Sequence, residues 1–236
     1  MRQVGFSSML PPTDDSSHPL AKRFEAFIRA ADFPCVGAKS ALARSQIRFV
    51  VGRDMRSAWD DLRIYPNLLD LAWSYARSPS LFHSLVVIFE EDGGLDEEGF
   101  ETCLWDRLES LSRKDDWAGQ PPDPRVSHSP EDPHFSLSFG GEAFFVVGLH
   151  PQASRPARRF ERPALVFNLH DQFEKLRESD VYETMRGKII ARDVALAGSA
   201  NPMLARHGDV SEARQYSGRA VGPDWRCPFS GRSPAP

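Results

Sequence analysis

The chain has no uninterrupted apolar run of about 18 residues, the length a membrane-spanning helix needs. Its opening stretch, MRQVGFSSMLPPTDDSSHPL, lacks an apolar core of signal-peptide length. Cysteine is scarce: Cys35, Cys103 and Cys227 are odd in number and widely spaced, which argues against a secreted disulfide framework and a zinc knuckle. There is no C-x-x-C-H, so covalent c-type haem attachment is not indicated. A net charge of -4 and a pI near 6.0 give no general attraction to phosphate backbones or anionic lipid. No P-loop, no G-x-G-x-x-G after a strand, no G-x-S-x-G, no H-E-x-x-H and no internal repeat is present. These absences predict a cytoplasmic protein with no nucleic-acid and no membrane partner.

What is present suffices for one hydrophobic core. The 236 residues are 41% apolar and 26% charged, and 19 prolines with 16 glycines predict long ordered connections. We expect a flexible leader over 1–17, a single catalytic domain over 18–230 and a loose tail over 231–236. Pro19 suits a first helical turn, and Leu20, Phe24, Phe27, Ile28 and Ala31 share one helical face. IRFVVGR and SLVVIFEE read as strands, and the helical segments between them should break at Pro66. DEEGFETCLWDRLESLSRK is the clearest helix, acidic at its start and basic at its end. DDWAGQPPDPRVSHSPEDPH, which holds His128 and His134, is longer than compact domains usually tolerate without a function and suits a lid. FSLSFGGEAFFVVGL turns as a hairpin at Gly140-Gly141. Asp171 with Glu174, and Asp180 with Glu183, have capping-box spacing, and a short helix should begin near Ser211. Hairpin-like neighbours with helices grouped before and after them predict an α+β single domain, a mainly antiparallel sheet flanked by helices.

The stretch that invites a functional reading is FFVVGLHPQASRPARRFERPALVFNLHDQF. Two strands, FFVVGL and ALVFNL, each end in a histidine, His150 and His170, with an arginine-rich turn between them. Pro151 turns the chain out of the sheet and leaves His150 at its rim, where an imidazole suits either an axial iron ligand or a bond to a backbone carbonyl. Arg155, Arg158, Arg159 and Arg162 can grip carboxylates or form a solvated basic loop. Asn168 and His170 would face His150 if the two strands pair, as a distal hydrogen-bonding set or as part of an iron triad with Asp171 or Glu174. Cys35, just before a helical segment, is either a thiol acidified by helix amides or a buried small hydrophobe. His207, Arg214 and Tyr216 are further pocket candidates.

Taken together, FPCVGAKSA at 33–41, GLHPQASRPARRF at 148–160, LVFNLHDQFEKLR at 165–177, NPMLARHG at 201–208, SEARQYSGRAV and WRCPF resemble the YqcI/YcgG family of small bacterial proteins. That family includes haem-dependent N-hydroxylases of guanidino amino acids. The resemblance implies a b-type haem and a monooxygenase that hydroxylates a guanidine nitrogen with dioxygen or peroxide. It makes His150 the favoured axial ligand, with Cys35 and Cys227 as thiolate alternatives and His170 and His207 as imidazole ones. Arg155 and Arg158 or Arg159 would anchor propionates, and His170 and Asn168 would act in catalysis. Asp171 and Glu174 are candidates to hold the substrate guanidine. Electrons would come from an external donor unless peroxide is used, and a homodimer is compatible with the chain. A haem-binding sensor or carrier and a non-haem iron oxygenase are the competing classes.

Overall fold

A computed structural model describes residues 10–178, 181–203 and 209–230. The sheet is built from β1 (Ile47–Gly52), β2 (Ser84–Phe89), β3 (Leu137–Phe139), β4 (Glu142–Leu149) and β5 (Ala164–Leu169). Around it lie α1 (Pro19–Arg29), α2 (Val36–Ala43), α3 (Asp61–Arg77), α4 (Glu97–Trp117), α5 (His170–Arg177), α6 (Val181–Ala197) and α7 (Ala213–Tyr216). The strand order is β1-β2-β5-β4-β3. Only β1 and β2 run parallel, joined through α3, and the other three pairings are antiparallel. The chain is therefore an α+β single domain, as the sequence predicts.

Both faces of the sheet are covered, which explains why the first two strands read as continuous apolar runs. Alternate residues go to opposite sides. Val50, Leu85, Val87 and Phe89 pack with α3 and α4, whereas Phe49, Val51, Val86 and Ile88 pack with α1. Pro19 opens α1 and the carboxylate of Asp96 accepts the Gly99 N–H to cap α4. Gly140 and Gly141, at φ 60° and 87°, form the two-residue turn between β3 and β4, a backbone that favours glycine.

Three local expectations are corrected. Pro66 does not break the helix: α3 runs through it, because Ile64, Tyr65, Leu68, Leu69, Leu71, Ala72 and Tyr75 form one buried stripe on both sides. An interior proline costs about 3 kcal/mol, and each large buried apolar side chain contributes about 1.5–3 kcal/mol in return. The leader is tied down from Asp15, whose N–H donates to the Phe49 carbonyl and whose carboxylate accepts from Val51 N–H and Arg63. Asp171 is not a helix cap; α5 begins one residue earlier, and that carboxylate is held by Tyr75, Lys175 and Arg125. The second capping pair starts at Asp180, outside the described residues.

Gly148 marks where β4 presses hardest on α4. A Cβ there would lie 2.7 Å from a Phe100 ring carbon and 2.8 Å from a Leu104 methyl, both on fully buried side chains. Gly148→Ala should lose about 1–3 kcal/mol of stability through overpacking, read as a lower urea midpoint with an unchanged slope. It should also disturb the histidine that leans on Phe100.

Candidate functional site

The antiparallel register of β4 and β5 decides which predicted residues meet. Leu149 pairs with Ala164, and Phe144 pairs with Leu169. His150 and His170 therefore leave the sheet at opposite ends, each one residue beyond Leu149 and Leu169, whose levels are themselves roughly 17 Å apart along the strands at about 3.4 Å per residue. The expectation that they face each other fails, because each follows the C-terminus of its own strand and the strands run in opposite directions. With it falls any triad that uses both. Asn168 lies toward the His170 end, where its Oδ1 accepts from Ser84 Oγ at 2.7 Å and its Nδ2 donates to the Phe145 carbonyl at 3.4 Å. Among the described residues no group of three or more His, Cys, Asp or Glu side chains is arranged to hold a metal ion.

At the first end, His150 is only 1% exposed and its ring lies flat on Phe100, with centroids 4.3 Å apart and planes 17° off parallel. Its N–H donates to the Arg158 carbonyl and its carbonyl accepts from Ala153, so the backbone on both sides of the ring is fixed. Nδ1 is buried and has no hydrogen-bond partner, which is unusual for a polar atom in a protein interior. Burial lowers the imidazole pKa against the opposing charges of Glu97 and Asp96, so the ring is neutral at pH 7.

The arginine turn wraps this histidine. Arg158 donates to the Gly148 carbonyl at 2.9 Å, to Gln215 at 3.1 Å and to Tyr216 at 3.3 Å, lacing the turn to β4 and α7. Burial pulls its pKa down to about 10, and the charges of Cys35 and Asp193 resist that fall. Arg155 pairs with Asp193 of α6 and with Ser199, while its Nε is buried without a partner. Arg159 is exposed and donates to the carbonyls of Ala153 and Ser154, and Arg162 lies 3.5 Å from Asp92. Cys35 sits at the N-cap of α2, its Sγ accepting from Ala38 N–H at 3.4 Å. Of the two readings of this thiol, the buried one fits: burial raises its pKa more than the Ala38 and Gly37 amides lower it. His207 lies outside the described residues. Cys227 is a free thiol that burial pushes up to about 12, an inert form at neutral pH.

The second end holds more polar chemistry than its sequence suggests. His170, itself buried, has Nδ1 3.9 Å from Glu174 and Nε2 3.8 Å from Glu212. Glu212 is a buried carboxylate pushed up to about 7 by burial, although Ser136 and Tyr216 each donate to it at 2.7 Å. Asp171 accepts from Tyr75 at 2.6 Å, from Lys175 at 2.7 Å and from Arg125 at 3.0 Å. A cleft of about 380 Å³ opens here, lined by Arg125, Val126, His134, His170, Asp171 and Glu174. Glu212 and Arg125 were missed by sequence reasoning. Glu212 does stand four residues before Tyr216, the spacing at which two residues of one helical turn meet. Arg214, another pocket candidate, instead holds the tail through the Trp225 and Gly222 carbonyls, and Tyr216 is fully buried.

The fold and these two ends define a class: an α+β protein with a buried neutral histidine at one end of its sheet and a charged cleft at the other. The chain belongs to the YqcI/YcgG family, whose model matches residues 24–230. No curated protein and no solved structure matches it. Among the described residues no helix is long and apolar enough to cross a membrane.

Proposed function

We propose that the protein is a haem-dependent monooxygenase of the cytoplasm that N-hydroxylates a guanidine-bearing amino acid. One observation carries the reading: His150 is buried, neutral and rigidly stacked, with an Nδ1 that nothing in the surrounding protein satisfies. A neutral imidazole is the metal-ligating form, and a buried unpartnered nitrogen is the feature expected where a ligand belongs. The donor therefore fits haem, and His150 would hold its iron. The propionate anchors fit only in part, since the Asp193 carboxylate already holds Arg155. Arg158 and Arg159, bonded to carbonyls alone among the contacts described above, match that role better.

Haem, when bound, supplies the activation of oxygen. The chain's own residues do the remainder. Phe100 fixes the plane of the imidazole, and the burial of the ring keeps water from it. Asp96 and Glu97, whose charges reach His150, favour a cationic guanidine at this end. Asp171 and Glu174 are too distant for that task. One oxygen atom enters an N–H bond and the other leaves as water, with two electrons and two protons from an external donor. With peroxide, water is the by-product and no donor is needed.

The test is to add haem to the purified chain, record its absorption, and incubate it with guanidino amino acids and either peroxide or a reductase. A Soret band, a substrate-induced spectral shift and a product heavier by one oxygen atom are expected. No Soret band would overturn the cofactor assignment. Haem binding without any oxygenated product would leave a carrier or sensor.

A further inference from the structure

We propose that the outer face of α6 is the docking surface for a small acidic electron-carrier protein, an inference that rests on the reading of His150 as a site supplied with electrons from outside. Nearly every described cation is engaged within the chain. Among the described residues, Arg186, Lys188 and Arg192 alone of the lysines and arginines have no ion pair, no side-chain hydrogen bond and no aromatic contact. All three lie within two turns of α6. Lys188 and Arg192 are exposed four residues apart, a spacing at which like charges repel by about 0.2–0.5 kcal/mol. Arg186 stands half-buried on the other flank. The acids of the helix do not balance them: Asp193 is buried and holds Arg155, which leaves Glu183. Unrelieved positive charge on an otherwise neutralised surface is complementary to acidic groups supplied by a partner.

The shape of the face agrees. Between the cations the exposed residues Thr184, Gly187, Ala191 and Ala195 are small, and a Cβ at Gly187 would meet nothing within 4 Å. A partner's carboxylates can therefore reach the charged groups without meeting bulk. The number of cations selects a protein over other polyanions. Nucleic-acid complexes often engage about 6–10 phosphates, and polybasic membrane segments carry about 4–8 lysines or arginines. On the outer face Val194 is the one large apolar residue exposed, too little to seat a helix on lipid. The position in the fold supplies the link to His150. α6 packs on the turn Pro156–Arg158, its Asp193 pairs with Arg155, and the Arg158 carbonyl accepts the His150 N–H. A carrier docked there is separated from the imidazole by that turn and one helix, about 10–12 Å thick. Two carriers, each oxidised by one electron, supply the pair that one hydroxylation consumes, and solvent passes on the two protons.

Isothermal titration calorimetry at low salt, with an oxidised plant-type [2Fe–2S] ferredoxin as probe, tests the surface on the full chain. The variants are Lys188→Glu with Arg192→Glu, His150→Ala, and a control, Arg53→Glu with Arg113→Glu, which changes the net charge equally at exposed cations paired with Glu91 and Glu109. Circular dichroism checks that each is folded. We expect a one-to-one complex that weakens at least about tenfold between about 50 and 300 mM salt. The α6 double variant should bind at least about 30-fold more weakly, about 2 kcal/mol, because two ion pairs are lost and like charges face each other in their place. The control should lose less than about threefold, and His150→Ala should bind as the unmodified chain does. No heat with ferredoxin, unchanged affinity in the α6 variant or an equal loss in the control would overturn the proposal. So would equal binding of parvalbumin, an acidic protein of similar size without a redox group, or a dimer of the chain that the α6 charge reversal dissociates. Haem at His150 is read from the Soret band and does not enter these titrations, so the two readings fail separately.

Discussion

The His150→Ala chain is expected to give no Soret band where the unmodified chain gives one, and to titrate with haem at least about 100-fold more weakly, about 2.7 kcal/mol. The substitution removes an imidazole that is buried, neutral and without a partner at Nδ1. It leaves behind an imidazole-shaped gap against Phe100, so added imidazole should restore a band. His170→Ala serves as the internal comparison. That histidine departs from the other end of the sheet, and its loss should leave the spectrum unaltered. A spectrum that survives His150→Ala and vanishes in His170→Ala would move the cofactor to the cleft.

Asp61→Ala should destabilise the fold by about 3–5 kcal/mol, the cost of leaving a buried charge without its partner. Asp61 is 0% exposed at the start of α3. Its carboxylate pairs with the buried Arg107 guanidinium and accepts from Ser110 Oγ at 2.6 Å and Lys114 Nζ at 2.8 Å, all on α4. Arg107 otherwise has the Met55 carbonyl at 3.3 Å, which does not neutralise it. For a chain of this size each 1 kcal/mol shifts the melting temperature by about 2–4 °C, so calorimetry should show a drop on the order of 10 °C. Replacing both partners, Asp61→Leu with Arg107→Met, should recover most of the loss because no charge is then left buried. A drop below about 1 kcal/mol in the single variant would show that water or Lys114 takes over.

Much of the architecture can be read from local pattern. Phe100, Leu104, Leu108 and Leu111 recur at helical spacing and do line the buried face of α4. Gly140-Gly141 turns a hairpin because a left-handed backbone is needed there and glycine adopts it without strain. Other features are set by contacts distant in sequence. Pro66 stays inside a helix because the core on both sides outweighs one lost hydrogen bond. The raised thiol pKa of Cys35 follows its burial, which its position before a helix does not reveal. The central stretch shows the same division. That His150 and His170 each close a strand is visible in the residues, but whether they meet depends on pairing direction, which neither strand encodes alone. Glu212 escaped notice because its importance comes from Ser136 and His170, far away in the chain.

The short α7 segment ties the two ends of the molecule together. Glu212, just before it, and the Tyr216 hydroxyl form the floor behind His170, while the carbonyls of Gln215 and Tyr216 grip Arg158 behind His150. One helical turn thus serves as a wall common to both ends of the sheet: a substitution at Tyr216 would remove a donor to Glu212 at one end and disturb a carbonyl that holds Arg158 at the other.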